Sequence, residues 1–326
     1  MKRILALALM LVIAAGMAFA GGQGETVGPE DGKANFTFIV KDMTNPYYWR
    51  MREGAERAAQ EFEVNFTWLA AQFNGDIEGQ IGVVESQLAL QPDALILVPM
   101  NGTALCPKVR EANDMGIPVI NPDTRLTCED AEAVTFVGLD EKESAVQMAE
   151  FLVDYYDGEA TLAILEGFRG SSTAEERLIG FNEVFDQHDG MEVVASQTAD
   201  WDREKGLNVT ENMLQANPDL DLVVASNDEM ALGAIQAVKS AGLMDQVNVV
   251  GNDAIPAGLQ ALKDGEMLAT IDGNTDQVGY EAVRAAYEVV VEGNTDLPDW
   301  LKVPSSVMLQ EDVTDEYLEG RGIELD

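Results

Sequence analysis

Short apolar runs alternate with helix-like stretches along almost the whole chain, and that order leaves few folds open. The runs fall at 36–40, 65–69, 94–98, 117–120 and 134–137. After a helical stretch at 141–156 they resume at 161–165, 191–196, 222–225, 247–250 and 268–271. The intervening stretches carry apolar residues at helical spacing, as Ile81, Val84 and Leu88 do. Strand-then-helix order predicts α/β architecture, with mainly parallel sheets covered by helices on both faces. Two successive series predict two similar Rossmann-like lobes. The tail from Leu297 reads as extended and then irregular. No close repeat recurs at solenoid spacing.

The stretch from Asp221 to Ala234 shows where such a chain keeps its chemistry. Leu222 to Ala225 suits a buried parallel strand. A helical pattern starts directly after it, and Ser226 with Glu229 has the spacing of a capping box. Asn227 therefore sits at the carboxyl edge of a strand, beside a helix amino end. Open α/β sheets bind ligands at that edge. An Asn offers both a donor and an acceptor, which suits a hydroxyl. Local pattern alone favours plain helix capping by Asn227 and Asp228. The rest of the chain favours the ligand reading.

Composition removes several functions. The 326 residues are enough for two domains. A net charge of −38 disfavours nucleic acid and anionic membrane surfaces as partners. Residues 1–20 read as a secretory signal: Lys2 and Arg3, an apolar run from Ile4 to Ala15, then Ala18-Phe19-Ala20. Residues 21–33 are Gly- and acid-rich and read as a flexible leader. A soluble, exported or periplasmic protein is expected, with no later membrane span. His188 is the only histidine, which disfavours a zinc site and a Ser-His-Asp hydrolase. Neither G-x-G-x-x-G nor G-x-x-x-x-G-K-[ST] occurs, so nucleotide cofactors lose their usual support. No cofactor and no metal are expected.

Two cysteines remain, Cys106 and Cys128. Export allows a disulfide; the alternative is two free thiols. Each follows a predicted strand of the first lobe, at 94–98 and 117–120. Adjacent parallel strands would bring both to one edge, so a bond between them is expected.

Polar and aromatic residues gather at the strand ends. Lys41, Asp42 and Asn45 follow the first strand, then Tyr47, Tyr48 and Trp49. Asp123 and Arg125 follow the run at 117–120. Arg169 and Arg177 flank the loop after 161–165, and Trp201 lies in Asp200-Trp201-Asp202-Arg203. Asn252 and Asp253 follow 247–250. A sugar ring has apolar C–H faces and a hydroxyl rim. Aromatic rings cover such faces, while Asp, Asn and Arg bond the rim. Trp49 is expected in the core instead. A cationic ligand would also suit aromatics and carboxylates, but Arg177 opposes it.

At these residues the chain resembles the periplasmic sugar-binding proteins that feed ABC importers, with the ribose-binding proteins nearest. The resemblance covers roughly 35–307. It is carried by Asn45-Pro46-Tyr47-Tyr48, Ser172-Thr173-Ala174-Glu175-Glu176-Arg177, Ala199-Asp200-Trp201-Asp202-Arg203, Asn227 to Ala234, and Val249-Val250-Gly251-Asn252-Asp253. It implies two α/β lobes joined by three crossing strands, closing on a ligand. Asn45, Tyr47, Tyr48 and Asp123 match first-lobe ligand positions; Arg177, Trp201, Asn227 and Asp253 match second-lobe ones. The chain departs from the ribose-type pattern at Lys41, which stands for a small polar residue. Thr124 separates Asp123 from Arg125, Asn252 replaces an aromatic, and Gly273 replaces a Gln. Asn252 exchanges a stacking face for hydrogen bonding, which suits a more hydroxylated ligand such as a hexose or polyol.

The expectation is a non-enzymatic solute-binding protein for a small neutral sugar or polyol, acting as a monomer and delivering to an ABC permease. A sensor role with a chemoreceptor or histidine kinase is the alternative. A transcriptional regulator would carry a DNA-binding segment where the signal stands, and no carboxylate pair singles itself out for glycosidase chemistry. Crossings are expected near Gly138-Leu139, Asp272-Gly273 and Val303-Pro304. The first lobe would then hold 34–138 and 274–302, the second 139–273 and 303–326.

Overall fold

A computed structural model describes residues 32–325, and its compact body starts at Ala34. The signal expected at 1–20 and most of the leader at 21–33 lie outside the described residues.

Six parallel strands form the first sheet. They are β1 (Asn35–Val40), β2 (Asn65–Ala70), β3 (Ala94–Leu97), β4 (Val119–Pro122), β5 (Thr135–Gly138) and β11 (Trp300–Lys302). Their order is β11-β5-β4-β3-β1-β2. The second sheet has four parallel strands: β6 (Ala160–Glu166), β7 (Met191–Thr198), β8 (Leu222–Ala225) and β9 (Asn248–Val250), ordered β7-β6-β8-β9. The pair β10 (Thr270–Asp272) and β12 (Ser306–Met308) is antiparallel. It adjoins the second sheet through a bridge from Val250 to Ala269.

Period-2 alternation sorts the core. Phe36, Phe38 and Val40 face one cluster, with α1 (Pro46–Glu61) and α9 (Thr275–Val290) over it. Ile39 faces the other, under α2 (Ile77–Leu88) and α3 (Cys106–Asp114). In the second sheet, Val223 and Ala225 face α6 (Arg203–Ala216), α7 (Asp228–Ala241) and α8 (Pro256–Lys263). Leu222 and Val224 face α4 (Glu141–Tyr155) and α5 (Ser172–Phe185). Strands covered on both faces read as unbroken apolar runs, which is why Ala94–Leu97 is buried throughout.

Both halves use glycine where two helices cross closely. A Cβ on Gly279 of α9 would stand 1.9 Å from the Met51 carbonyl oxygen of α1. One on Gly233 of α7 would stand 2.1 Å from the Arg203 carbonyl oxygen of α6.

The chain runs from β5 into α4, and from β10 into α9, which packs on α1. After β11 completes the first sheet, β12 pairs with β10. Cys106 and Cys128 are joined by a disulfide, with an S–S distance of 2.03 Å.

Three local expectations are corrected. The tail is not irregular to its end: it closes in α10 (Asp315–Gly320), and Leu318 is buried in the second-sheet core. Trp49 is 56% exposed. The buried stripe of α1 runs through Tyr48, Met51, Ala55 and Ala58, and Trp49 falls off it. The cap of α7 is Asn227, not Ser226: Asn227 Oδ1 accepts from Met230 N at 2.9 Å. Ser226 is still held by strand pairing, its N–H donating to Leu165 O at 3.0 Å.

Candidate ligand-binding cleft

In parallel sheets every strand ends at the same edge, so the loops after successive strands meet. Here the loops of both sheets enclose a cavity of roughly 270 Å³. That is just below the about 300–1,000 Å³ typical of drug-sized ligands.

Lys41 and Asp42 follow β1, where the strand gives way to the start of α1. Asp42 Oδ1 accepts from Thr44 N at 2.8 Å, Thr44 Oγ1 at 2.7 Å and Asn45 N at 3.0 Å. Asn45 caps α1, its Oδ1 accepting from Tyr47 N at 2.9 Å. Asn45, Tyr47 and Tyr48 line the cavity. Tyr47 donates its hydroxyl to Asp123 Oδ1 at 2.7 Å. Burial, then the Asp123 charge, pushes the Tyr47 phenol well above its ordinary range, so it stays protonated. Lys41 Nζ lies 3.2 Å from Asp123 Oδ2 and donates to Thr124 Oγ1 at 2.5 Å. Thr124 Oγ1 is 2.9 Å from Thr173 Oγ1 of α5.

On the opposite wall, Arg177 is buried on α5. Its Nε donates to Glu141 Oε2 at 2.7 Å and its Nη1 to Ser226 O at 2.5 Å. Asp253 Oδ1 is 3.5 Å from Nη1. Burial works against the Arg177 charge, but Glu141 and then Asp253 overcome it and hold the guanidinium above its ordinary range. Burial pushes the carboxyl of Asp253 well up, against the pull of Arg177. It also raises that of Glu141, again opposed by Arg177. Trp201 borders the same wall, 5.7 Å from the Arg177 guanidinium. Asn227 lines it too, its Oδ1 committed to the helix cap.

Left-handed backbone gathers here. Asp123 has φ +65°, Asp200 +52°, Trp201 +65° and Asp253 +124°. Such strain in non-glycine residues concentrates at ligand clamps.

Of the candidates read from sequence, Lys41, Asp42, Asn45, Tyr47, Tyr48, Asp123, Arg177, Trp201, Asn227 and Asp253 line the cavity. Arg125 and Asn252 do not. The Arg125 guanidinium lies against the rings of Phe136, 3.7 Å from its centroid, and Trp300, 4.3 Å from its centroid, beside Glu176. Its planar cation gains more from two ring faces than from the cavity. Asn252 is buried behind the wall, donating to Asp253 Oδ1 at 3.0 Å. Arg169 is exposed and away from the cavity. Thr44, Asn74, Thr173, Asp202, Arg203 and Glu229 line it unforeseen. Asn74 follows β2, so the strand-end rule alone would have found it. Glu141 is the larger omission: nothing local marks it as the partner of Arg177.

The donors, acceptors and ring faces can surround a small polar ring and fix its orientation. Among the described residues no His, Cys, Asp and Glu cluster has the makings of a metal site.

Comparison with known proteins agrees with this architecture. The periplasmic binding protein domain matches residues 36–295. A D-ribose/D-allose-binding protein of Pseudomonas aeruginosa is 34% identical over 277 residues, covering 83% of this chain and 85% of that protein. A periplasmic solute-binding protein of an ABC transporter from Actinobacillus succinogenes, solved with bound D-allose, is 33% identical with a TM-score of 0.81. The match covers 86% of this chain and 99% of that one. A solute-binding protein from Bacillus halodurans, solved with myo-inositol, is 30% identical with a TM-score of 0.81, covering 90% and 99%. The chain belongs to the periplasmic binding protein family.

Proposed function

We propose that this protein captures a small neutral sugar or polyol in the cleft and delivers it to an ABC permease, catalysing no reaction. The observation that carries the reading is the cavity itself. Tyr47, Tyr48 and Trp201 offer ring faces, while Asn45, Arg177, Asn227 and Asp253 offer a polar rim, drawn from the strand ends of both sheets. The relatives support it: one is named as a D-ribose/D-allose-binding protein, and two solute-binding proteins were solved with bound D-allose and bound myo-inositol.

The two sheets serve as closing lobes, 34–138 with 274–302 and 139–273 with 303–326. Ligand binding favours the closed arrangement over the open one. The working form is exported and freed of its signal. Among the described residues no helix is long and apolar enough to cross a membrane. The lining carboxylates argue against a sugar phosphate, since they repel it and no glycine is among the described residues that line the cavity.

Calorimetry across neutral sugars, polyols, amines and sugar phosphates is the test. Binding of a neutral pentose, hexose or polyol at micromolar Kd or better is expected, at least ~8 kcal/mol. Asn227→Ala and Asp253→Ala should each weaken it by about 1–3 kcal/mol, each leaving hydrogen-bonding groups unpaired. Binding of only an amine or a phosphate, or unchanged affinity in both variants, overturns the assignment.

A further inference from the structure

Of the five carboxylates that line the cavity, Asp123 and Asp253 face a ligand from opposite walls, and they are not equivalent. Asp253 uses one oxygen within the protein: Oδ1 accepts from Asn252 Nδ2 at 3.0 Å and lies 3.5 Å from Arg177 Nη1. Its Oδ2 has no hydrogen-bond donor among the described residues. Asp123 is committed at both oxygens. Oδ1 accepts the Tyr47 hydroxyl at 2.7 Å. Oδ2 accepts from Thr124 Oγ1 at 3.0 Å and pairs with Lys41 Nζ at 3.2 Å. An ionised carboxylate has about four lone-pair sites. Three are therefore spoken for before a ligand arrives, and both partners that reach in from other loops, Tyr47 and Lys41, line the cavity themselves.

We infer that Tyr47 is a specificity-determining residue, its hydroxyl taking at Asp123 the place a ligand hydroxyl would otherwise take. The ligand edge at this wall meets the Tyr47 phenol oxygen in place of the carboxylate oxygen it covers, while the Lys41 ammonium is engaged by Asp123 Oδ2 and Thr124 Oγ1. The ligand hydroxyl there donates to a neutral oxygen rather than to a charged one. Loss of that one hydroxyl is thus tolerated, so the ligand class extends to sugars or polyols that are deoxygenated at that edge. The hydroxyl held by Asp253 and Arg177 at the far wall is indispensable. The assignment rests on reading the cleft as a sugar site.

The test takes the tightest-binding neutral sugar from a calorimetric panel and measures its complete monodeoxy series. In the wild type, one position should cost under about fivefold in affinity when deoxygenated, whereas the position facing Asp253 should cost about tenfold or more. Tyr47→Phe keeps the ring and frees an acceptor site on Asp123. In that variant the tolerant position should rise to a loss of about tenfold or more, with the other positions unchanged. A wild-type series in which every hydroxyl costs tenfold overturns the inference alone, and needs no variant to do so. So does a Tyr47→Phe profile that matches the wild type. A chain that binds no neutral sugar or polyol overturns the functional reading, and this inference with it.

Discussion

Arg177 Nε sits 2.7 Å from Glu141 Oε2, and both side chains are 3% exposed. Glu141 is the first residue of α4, directly after the chain leaves the first sheet, whereas Arg177 lies on α5 facing the cavity. A buried pair of this kind costs most when half of it is removed, because the other charge is stranded. Glu141→Ala should destabilise the fold by about 3–5 kcal/mol in denaturant titration. Glu141→Gln retains an acceptor for Arg177 and should cost clearly less. Equal losses in the two variants would show that packing, not the pairing, is what Glu141 contributes.

Asp228 gives the protein a pH dependence opposite to that of a salt-bridged acid. It accepts from Thr270 Oγ1 at 2.7 Å and Ile255 N at 2.9 Å. Burial nevertheless pushes its carboxyl up to about 6. In the unfolded chain an Asp titrates near ~3.9. Between those values the folded protein holds the extra proton, so stability falls as pH rises through that window. The fall should not exceed about 3 kcal/mol, at roughly 1.4 kcal/mol for each pH unit. The stability of wild type relative to Asp228→Asn should therefore decline from pH 4 to pH 6 and level off above it. A difference that grows with pH across that range contradicts the assignment.

Arg125 contributes to the first sheet rather than to the cavity. Its guanidinium packs on both Phe136 and Trp300, and Trp300 Nε1 donates to Gly138 O at 2.9 Å. Lysine keeps the charge but not the flat stacking surface. Arg125→Lys should lower stability by about 1–2 kcal/mol, while ligand affinity stays within a few-fold. Chemical denaturation and calorimetry on the same variant separate the two.

The bond between Cys106 and Cys128 closes a loop spanning 22 residues. A loop of that size stabilises by about 3 kcal/mol in the chain-entropy account. The double variant Cys106→Ala, Cys128→Ala should lose about that much and bind ligand as before. Thiol titration of denatured, unreduced protein should find no free thiol.

Much of this was legible along the chain. Alternating strands and helices specify parallel sheets, because a parallel connection needs a crossover and a helix supplies it. Parallel strands end at one edge, so Asn45, Asp123, Trp201, Asn227 and Asp253 were bound to gather there once the order was read.

What the order of residues left open was the direction of individual side chains. Arg125 and Asp123 leave the same strand end, yet only Asp123 reaches the cavity. Arg125 is drawn away by Trp300, 175 positions further on, a partner that no local pattern reveals. Trp49 and Tyr48 are neighbours on one helix; which of them is buried depends on the rotation of α1 against the sheet and α9. Glu141 became the partner of Arg177 only when α4 and α5 packed side by side. Strand order is a property of the chain and can be read from it. The aim of a buried charge is set by whichever desolvated partner folding brings within reach, and only the tertiary structure decides that.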